Sequence, residues 1–119
     1  MSVVVTSAPR KEIGRVSLAE VKEKGLLRMS HPPFDVLVAW SDGEVFAMED
    51  ACNHAGASLA EGWIKQGCVV CPMHAYMFEL RSGKLVRPRG LCGDQRTFEV
   101  EIEGDEIAVY DAFSLELRT

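Results

Sequence analysis

The fold of this 119-residue chain can be inferred from residues 52–75, which read CNHAGASLAEGWIKQGCVVCPMHA. Each end of this stretch holds a cysteine followed closely by a histidine. Cys52 and His54 are spaced Cys-x-His, Cys71 and His74 are spaced Cys-x-x-His, and sixteen residues lie between the pairs. The whole chain has only 4 cysteines and 3 histidines. Four of these seven residues form the two pairs, and this concentration in two short segments indicates that the four side chains share one role.

Both pairs lie among residues that favour loops, and short loops that supply a thiolate and an imidazole are typical of metal sites. One candidate occupant is a single zinc ion, which accepts two sulfur and two nitrogen ligands. Compact zinc modules usually take a closely spaced pair of histidines from a helix, and neither pair here lies in a predicted helix. The other candidate is a [2Fe–2S] cluster with both cysteines on one iron and both histidines on the other.

The motif resembles the ligand loops of Rieske-type iron–sulfur proteins, and the likeness covers residues 13–110. The resemblance implies an all-β Rieske iron–sulfur fold, a small antiparallel sandwich or barrel with a cluster-binding subdomain made of two ligand loops. It also implies one [2Fe–2S] cluster per chain, and no catalytic residue. The implied cofactor-binding residues, which are the metal ligands, are Cys52, His54, Cys71 and His74.

The residues around the motif indicate the low-potential, oxygenase-associated type of this family. In the high-potential respiratory type each ligand loop carries an extra cysteine, and the two form a disulfide; the matching positions here hold Ala57 and Met73. That type also places serine and tyrosine hydroxyls beside the cluster, where this chain has Tyr76 and Phe78. Phe78 has no hydroxyl, and Tyr76 replaces a small serine, so we expect fewer hydrogen bonds to sulfur. Because such bonds stabilise the reduced state, we expect a potential near the low end of the Rieske range, roughly −150 to +300 mV.

Other positions near the motif carry expectations of their own. The family usually has glycine after its second ligand histidine, and this chain has Ala75. Pro88, in the loop at residues 87–90, is expected to cover the cluster, as a proline-containing loop does in the family. Cys68 and Cys92 do not fall at the positions of the family disulfide. We interpret Cys68 as a buried strand residue and Cys92 as a thiol in a loop.

Short strands separated by glycine-containing turns dominate the rest of the sequence, which predicts an all-β sandwich or small barrel. One helical turn is predicted at residues 17–20, where Ser17 and Glu20 form a capping box. A composition of 47% hydrophobic and 26% charged residues is that of one globular domain, expected at residues 10–119 after a flexible tail at residues 1–9. Strands are predicted at residues 12–16, 26–29, 34–40, 45–48, 63–64, 68–70, 76–80, 85–86, 97–102 and 106–110. The aromatic residues expected mostly in the core are Trp40, Phe46, Trp63, Phe78 and Phe98.

Charge and hydropathy exclude several classes of function. The chain carries 13 Lys+Arg and 18 Asp+Glu, a formal net charge of −5, whereas proteins that bind nucleic acid through its phosphates are normally basic. No run of about 18 apolar residues is present, so no membrane span is predicted. The amino-terminal sequence MSVVVTSAP lacks the charge pattern and apolar core of an export signal. We therefore expect a cytoplasmic protein.

Positive and negative charge are separated along the second half of the chain. Residues 81–96 hold five basic residues and one acidic residue, whereas residues 99–111 hold six acidic residues and no basic one. We expect a partner to dock at the histidine-bearing tip, with Arg87 and Arg89 at the rim of the contact. The competing interpretation places docking on the acidic run. The small and apolar residues expected at the centre of the tip are Ala55, Gly56, Met73, Ala75 and Pro88.

The resemblance implies a one-electron carrier and not an enzyme by itself. Rieske oxygenases need a separate catalytic iron site with further histidines and a carboxylate, and only His31 remains in this chain. The implied role is a ferredoxin, monomeric when free, that passes electrons from a flavin-containing NAD(P)H reductase to a terminal oxygenase. Two alternatives stay open: a small Rieske subunit of a larger reductase of the nitrite-reductase type, and a zinc-stabilised structural module.

Overall fold

The computed structural model describes residues 10–52, 56–88 and 93–112 of the chain. The predicted tail at residues 1–9 lies outside the described residues. The individual residues with predicted roles that also lie outside them are His54, Ala55, Arg89 and Cys92. The elements of the described residues are β1 (Arg10–Ser17), α1 (Leu18–Lys24), β2 (Leu26–His31), β3 (Phe34–Ser41), β4 (Glu44–Glu49), a 3₁₀ helix (Leu59–Glu61), β5 (Trp63–Lys65), β6 (Cys68–Val70), β7 (Met77–Glu79), β8 (Leu85–Arg87), β9 (Thr97–Glu103) and β10 (Glu106–Ala112).

These strands form two antiparallel sheets, which confirms the predicted all-β fold. The larger sheet has the order β1-β10-β9-β4-β3-β2, and the smaller one has the order β5-β6-β7-β8. The edge strands β1 and β2 of the larger sheet contact each other, so this sheet curls toward a barrel. The smaller sheet carries the second cysteine–histidine pair. Strand β6 ends just before this pair, and strand β7 begins soon after it.

Strand β3 explains how one chain of this size supports two hydrophobic cores. Its central residues Val36, Leu37, Val38 and Ala39 are all fully buried, the pattern of a strand that is covered on both faces. Because successive side chains of a strand point to opposite faces, alternate residues reach different cores. Leu37 and Ala39 pack into a first core, and Val36 and Val38 pack into a second core.

The first core lies between the two sheets and contains both cysteines of the motif. The second core lies inside the curled larger sheet, where α1 contributes Val21. Only the first core can therefore position the two cysteines relative to each other. The buried residues of the first core, among those that the structure describes, are Leu37, Ala39, Met48, Cys52, Leu59, Val69, Cys71, Tyr76, Phe78 and Leu80.

The predicted helix start at Ser17 is confirmed. The Ser17 hydroxyl accepts a hydrogen bond from the backbone N–H of Glu20 at 3.2 Å, which satisfies one of the unpaired donors in the first turn of a helix. The helix runs on to Lys24, and Gly25 ends it with a φ of 79° while its N–H donates to the Val21 carbonyl at 2.8 Å. The helix therefore covers one end of the second core with a single buried valine.

The expectation for the aromatic residues is correct for Phe78 and Phe98, which are buried, and wrong for Trp63, which is 50% exposed. Strand β5 is an edge strand, and Trp63 pairs with Val70 on the face that points away from the first core. The neighbouring Ile64 packs against that core instead. Alternation along one short strand thus decides which of two adjacent apolar residues is buried.

In the part of the chain that the structure describes, no helix has the length and apolar character needed to cross a membrane.

Candidate metal centre

The structure places three of the four predicted metal ligands. Cys52 and Cys71 are buried, with exposed fractions of 3% and 0%, and both belong to the first core. His74 is exposed at the surface, and His54 lies outside the described residues. The described donors therefore divide by burial, with the thiols turned to the interior and an imidazole at the surface.

The two cysteines open two backbone loops of the same construction. The first ligand loop, residues 52–57, and the second ligand loop, residues 71–76, are each closed at the base by an antiparallel pair of residues seven positions apart in sequence. The two closing pairs are Ala51–Ser58 and Val70–Met77. The sequence shows no repeat, so this likeness of the loops appears only in three dimensions.

In the first ligand loop both backbone polar groups of the cysteine are bonded within the loop. The Cys52 N–H donates to the carbonyl of Ala57 at 2.8 Å, and the Cys52 carbonyl accepts from the N–H of Gly56 at 2.7 Å. Hydrogen bonds on both sides of one residue fix its φ and ψ, and so fix the direction in which its Cα–Cβ bond points. The loop itself thus aims the Cys52 side chain.

The second ligand loop repeats this arrangement at the equivalent positions. The Cys71 N–H donates to the carbonyl of Tyr76 at 2.8 Å, and the Cys71 carbonyl accepts from the N–H of Ala75 at 3.0 Å. The two cysteines therefore sit in equivalent backbone frames, whereas the histidines occupy different offsets from them. Two cysteines in equivalent frames and in one core are suited to holding two thiolates at one metal ion.

The fourth residue after each cysteine adopts the left-handed conformation. Gly56 has a φ of 73° and Ala75 has a φ of 61°, a region in which a side chain crowds its own backbone and glycine does not. Ala75, which stands where the family usually has glycine, thus shares the left-handed conformation of Gly56 in the first loop. Ala75 adopts the backbone conformation that suits glycine, at an energetic cost.

We expect Ala75→Gly to stabilise the protein by about 1 kcal/mol, since relief of the left-handed alanine outweighs the extra chain entropy of glycine. The midpoint of thermal unfolding of the cluster-loaded protein would then rise by about 3–5 °C.

Gly56→Ala is the matched control for this prediction, because apart from its chain neighbours no atom of the described residues lies within 4 Å of a Cβ added there, so the change carries mainly the conformational cost. It should lower the same midpoint by a similar amount. A lower midpoint for Ala75→Gly would contradict the assignment of strain to Ala75.

Asp50, which sequence reasoning did not single out, anchors the start of the first ligand loop. It is only 3% exposed, and its Oδ1 accepts from the N–H of Ala60 at 2.8 Å. Its N–H donates to the Asp35 carbonyl at 2.9 Å, and its carbonyl accepts from the Leu59 N–H at 2.8 Å. The carboxylate thus caps the 3₁₀ helix that follows the loop, and ties the two ends of the loop together.

Gly62 is required by a close approach between backbones. A Cβ at this position would lie 1.8 Å from the Val70 carbonyl oxygen and 3.3 Å from the Leu59 carbonyl oxygen. The first distance is far shorter than a carbon atom and an oxygen atom can adopt without moving, and the second is a tight contact. Because Val70 directly precedes Cys71, the absence of a side chain at Gly62 lets the chain after the first ligand loop pack closely against the start of the second.

The interpretation of Cys68 as a buried strand residue is confirmed. It lies in β6 with 7% of its surface exposed. Burial raises the pKa of the Cys68 thiol above its ordinary value, and the nearby Glu79 carboxylate raises it further. Cys68 lies in a strand and outside the two ligand loops. Cys92 lies outside the described residues.

The donor types and their burial fit a [2Fe–2S] cluster. Such a cluster takes a pair of cysteine ligands at one iron and a pair of histidine ligands at the other, which agrees with two buried cysteines in one core and an exposed His74.

Comparisons with known proteins agree with this geometry. The sequence pattern of the Rieske [2Fe-2S] domain matches residues 13–98. The biphenyl 2,3-dioxygenase ferredoxin component of Rhodococcus jostii (strain RHA1) is 38% identical over 84 residues, which cover 71% of this chain and 78% of that protein. The biphenyl dioxygenase ferredoxin subunit of Pseudomonas sp. (strain KKS102) is 36% identical over 94 residues, which cover 78% and 85%.

Solved structures show the same fold. The Sphingomonas yanoikuyae B1 ferredoxin superposes with a TM-score of 0.75 at 22% identity, over 85% of this chain and 99% of that one. A chain from a complex of reduced oxygenase and oxidized ferredoxin in carbazole 1,9a-dioxygenase superposes with a TM-score of 0.72 at 27% identity, over 80% and 98%.

The predicted cofactor, one [2Fe–2S] cluster per chain, is thereby confirmed. The prediction that the chain is not an enzyme by itself is confirmed as well, because its relatives are ferredoxin components of larger dioxygenase systems. The burial of both cysteines, the two equivalent loops and the match over residues 13–98 lead to one conclusion. The chain belongs to the Rieske [2Fe-2S] domain family.

Proposed function

We propose that this chain is a one-electron carrier that passes electrons from a flavin-containing NAD(P)H reductase to a terminal oxygenase. The observation that carries the proposal is the division of the donors, with two cysteines in the first core and His74 at the surface. The relatives that are ferredoxin components of dioxygenases support it. The solved relative in complex with an oxygenase supports the terminal oxygenase as a partner.

We propose Cys52, His54, Cys71 and His74 as the ligands of the cluster. When bound, a [2Fe–2S] cluster supplies reversible one-electron chemistry without a change of ligands. The chain supplies the environment and the orientation of the ligands. The first core keeps water away from the Cys52 and Cys71 sulfur atoms, and the loop hydrogen bonds fix the direction of both side chains. The exposed His74 marks the side that a partner can approach.

The surface around His74 suits a transient contact. Met73 is 49% exposed, and Gly56 and Ala75 are also exposed. A partner that docks here would contact small and apolar groups, whose side chains make no hydrogen bonds to water that docking must break. An apolar centre with a polar rim is the usual anatomy of a protein interface. These residues support docking at the histidine-bearing tip.

The charges of the described residues favour the basic rim over the acidic run as the docking surface. Arg10 and Arg15 of β1 form ion pairs with glutamates of β9 and β10, which partly neutralise the acidic run. Arg87 is exposed and forms no ion pair with any residue that the structure describes, so its charge stays available for steering a partner. The paired glutamates are Glu99, Glu101, Glu103 and Glu106.

The electron acceptor is proposed to act on aromatic compounds. The ferredoxin relatives belong to dioxygenases named for biphenyl, for 3-phenylpropionate and cinnamic acid, and for anthranilate. The cytoplasmic location, the monomeric state and the extent of the single domain over residues 10–119 stay predictions.

The test is EPR spectroscopy of the dithionite-reduced protein together with protein-film voltammetry near neutral pH. We expect a Rieske-type signal and a midpoint potential below zero, because Ala57, Met73 and the fully buried Phe78 supply neither a disulfide nor a hydroxyl donor. A colourless, EPR-silent protein would favour the zinc module. A midpoint well above about +100 mV, in the upper part of the Rieske range, would contradict the low-potential assignment.

Purification from the native host separates the proposal from the nitrite-reductase alternative. A carrier should be isolated alone, whereas a permanent subunit should be isolated with a large flavin or haem partner. The likeness to the small subunit of a putative NADPH nitrite reductase, at 17% identity and a TM-score of 0.68, concerns the fold alone.

A further inference from the structure

The side chain of Gln95 reaches the base of the first ligand loop. Gln95 is only 4% exposed, and its Nε2 donates to the Glu49 carbonyl at 2.8 Å and to the Ala51 carbonyl at 2.9 Å. These two carbonyls flank Asp50 and lie immediately before Cys52. One amide group therefore satisfies two backbone acceptors at the point where β4 becomes the loop.

This contact begins where the backbone pairing of β4 with β9 ends. Met48 pairs with Thr97, and the Glu49 N–H still donates to the Arg96 carbonyl at 2.8 Å. The Gln95 N–H turns away from β4 and donates to the Gly83 carbonyl at 2.7 Å. The side-chain amide thus supplies the donors that a continuing strand would have supplied, and it extends the hydrogen bonding to the edge of the loop.

The backbone of Gln95 is attached to the hairpin that follows the second ligand loop. Gly83 lies in the turn between β7 and β8, and a Cβ there would lie 2.2 Å from the Gln95 carbonyl oxygen. The neighbouring Asp94 accepts a hydrogen bond from the Leu85 N–H at its Oδ1, at 2.9 Å. Gln95 therefore links the base of the first ligand loop, through its side chain, to the β7–β8 turn of the sheet that carries the second ligand loop, through its backbone.

We propose that Gln95 is a positioning residue whose side-chain amide holds the first ligand loop in register with the second. The proposal rests on the proposed ligand set, because register matters only if the two loops share one group. Loss of the amide leaves two carbonyls without their donor and releases the first loop from one side. The second loop keeps its own hydrogen bonds and its attachment to β6 and β7.

Gln95→Met tests the proposal, because methionine has a similar size and flexibility and no N–H donor. Hydrogen–deuterium exchange of the cluster-loaded, oxidised protein would follow the Cys52 and Gly56 amides of the first loop, and the Cys71 amide of the second. We expect exchange in the first loop to accelerate about thirtyfold, the equivalent of the net contribution of two lost hydrogen bonds, and exchange at Cys71 to stay unchanged. The EPR signal of the reduced protein should broaden or shift in g value.

Gln66→Met is the matched control, since Gln66 is the other glutamine of the chain and lies exposed in the turn between β5 and β6. It should change neither readout. Gln95→Asn, which keeps the amide on a shorter side chain, should give a smaller effect of the same kind and serves if Gln95→Met does not fold.

Two results would overturn the proposal. Unchanged exchange in the first loop, in whichever Gln95 variant folds, would mean that the amide does not hold it. Equal acceleration in both loops, with an unchanged EPR signal, would mean that Gln95 contributes only to general stability. Failure of the proposed function is a separate outcome, because it would appear as a missing Rieske signal in the unaltered protein, whatever the exchange data show.

Discussion

Cys71→Ser is expected to yield a protein without the visible absorption and the EPR signal of an iron–sulfur cluster, and Cys52→Ser should do the same. Serine keeps the size of the side chain, so the loss follows from replacing a thiolate with a weak ligand at a fully buried position. Iron and acid-labile sulfide would fall to background. The thermal midpoint should drop by about 10 °C or more, because a bound group that stabilises only the folded state contributes on the order of 3 kcal/mol or more.

Cys68→Ala is the control for these variants. Cys68 lies in β6, three residues before Cys71 and also within the protein interior, but it stands outside the two ligand loops. The Cys68→Ala protein should keep its visible spectrum, its iron content and its EPR signal. A normal spectrum in Cys52→Ser or Cys71→Ser would refute the proposed ligand set, whatever the control shows.

Gly62→Ala is expected to be the most damaging of the single-methyl changes. The added Cβ would lie 1.8 Å from the Val70 carbonyl oxygen, and backbone cannot move aside as the end of a flexible side chain can. β5 would have to separate from β6 next to Cys71. We expect a loss of about 3 kcal/mol or more in the free energy of unfolding, a large share of the 5–15 kcal/mol that is usual for a small domain.

Gly67→Ala offers the comparison within the same hairpin. Gly67 has a φ of 77°, and apart from its chain neighbours no atom in the described part of the chain lies within 4 Å of an added Cβ, so Gly67→Ala should cost only about 1 kcal/mol for the left-handed conformation. Urea unfolding of both variants would give the two values. If Gly62→Ala cost no more than Gly67→Ala, the close packing of the chain against β6 would not be a constraint.

Most of the strand architecture could be predicted because it depends on short-range patterns. The apolar run in β3 predicts a strand, and the turn at Asp42 and Gly43 predicts its partner β4. All ten predicted strands are present, with ends displaced by two residues at most. The candidate ligands could be identified because their spacing is itself the signal, and the structure places two of them, Cys52 and Cys71, in one core.

The residues that support the loops could not be predicted, because their roles depend on contacts far apart in sequence. Gln95 bonds a carbonyl 46 positions away, and no local pattern marks it as buried. Asp50 could have been noticed as an acid two positions before a candidate ligand, but its capping bond to Ala60 crosses the loop. The likeness of the two loops arises from backbone hydrogen bonds that different sequences can make.

The paired hydrogen bonds around Cys52 and Cys71 would also affect the speed of the proposed electron transfer. A ligand whose backbone is bonded on both sides moves little when the charge at its metal changes, and a polar frame already in place need not rearrange. If Cys52 and Cys71 hold the cluster, as proposed, the inner-sphere reorganisation energy would be small. The barrier to each transfer would then be set mainly by the approach of the partner and the water it displaces at the tip. Rates should accordingly respond more to solvent viscosity and ionic strength than to substitutions in the first core that leave the loop hydrogen bonds intact.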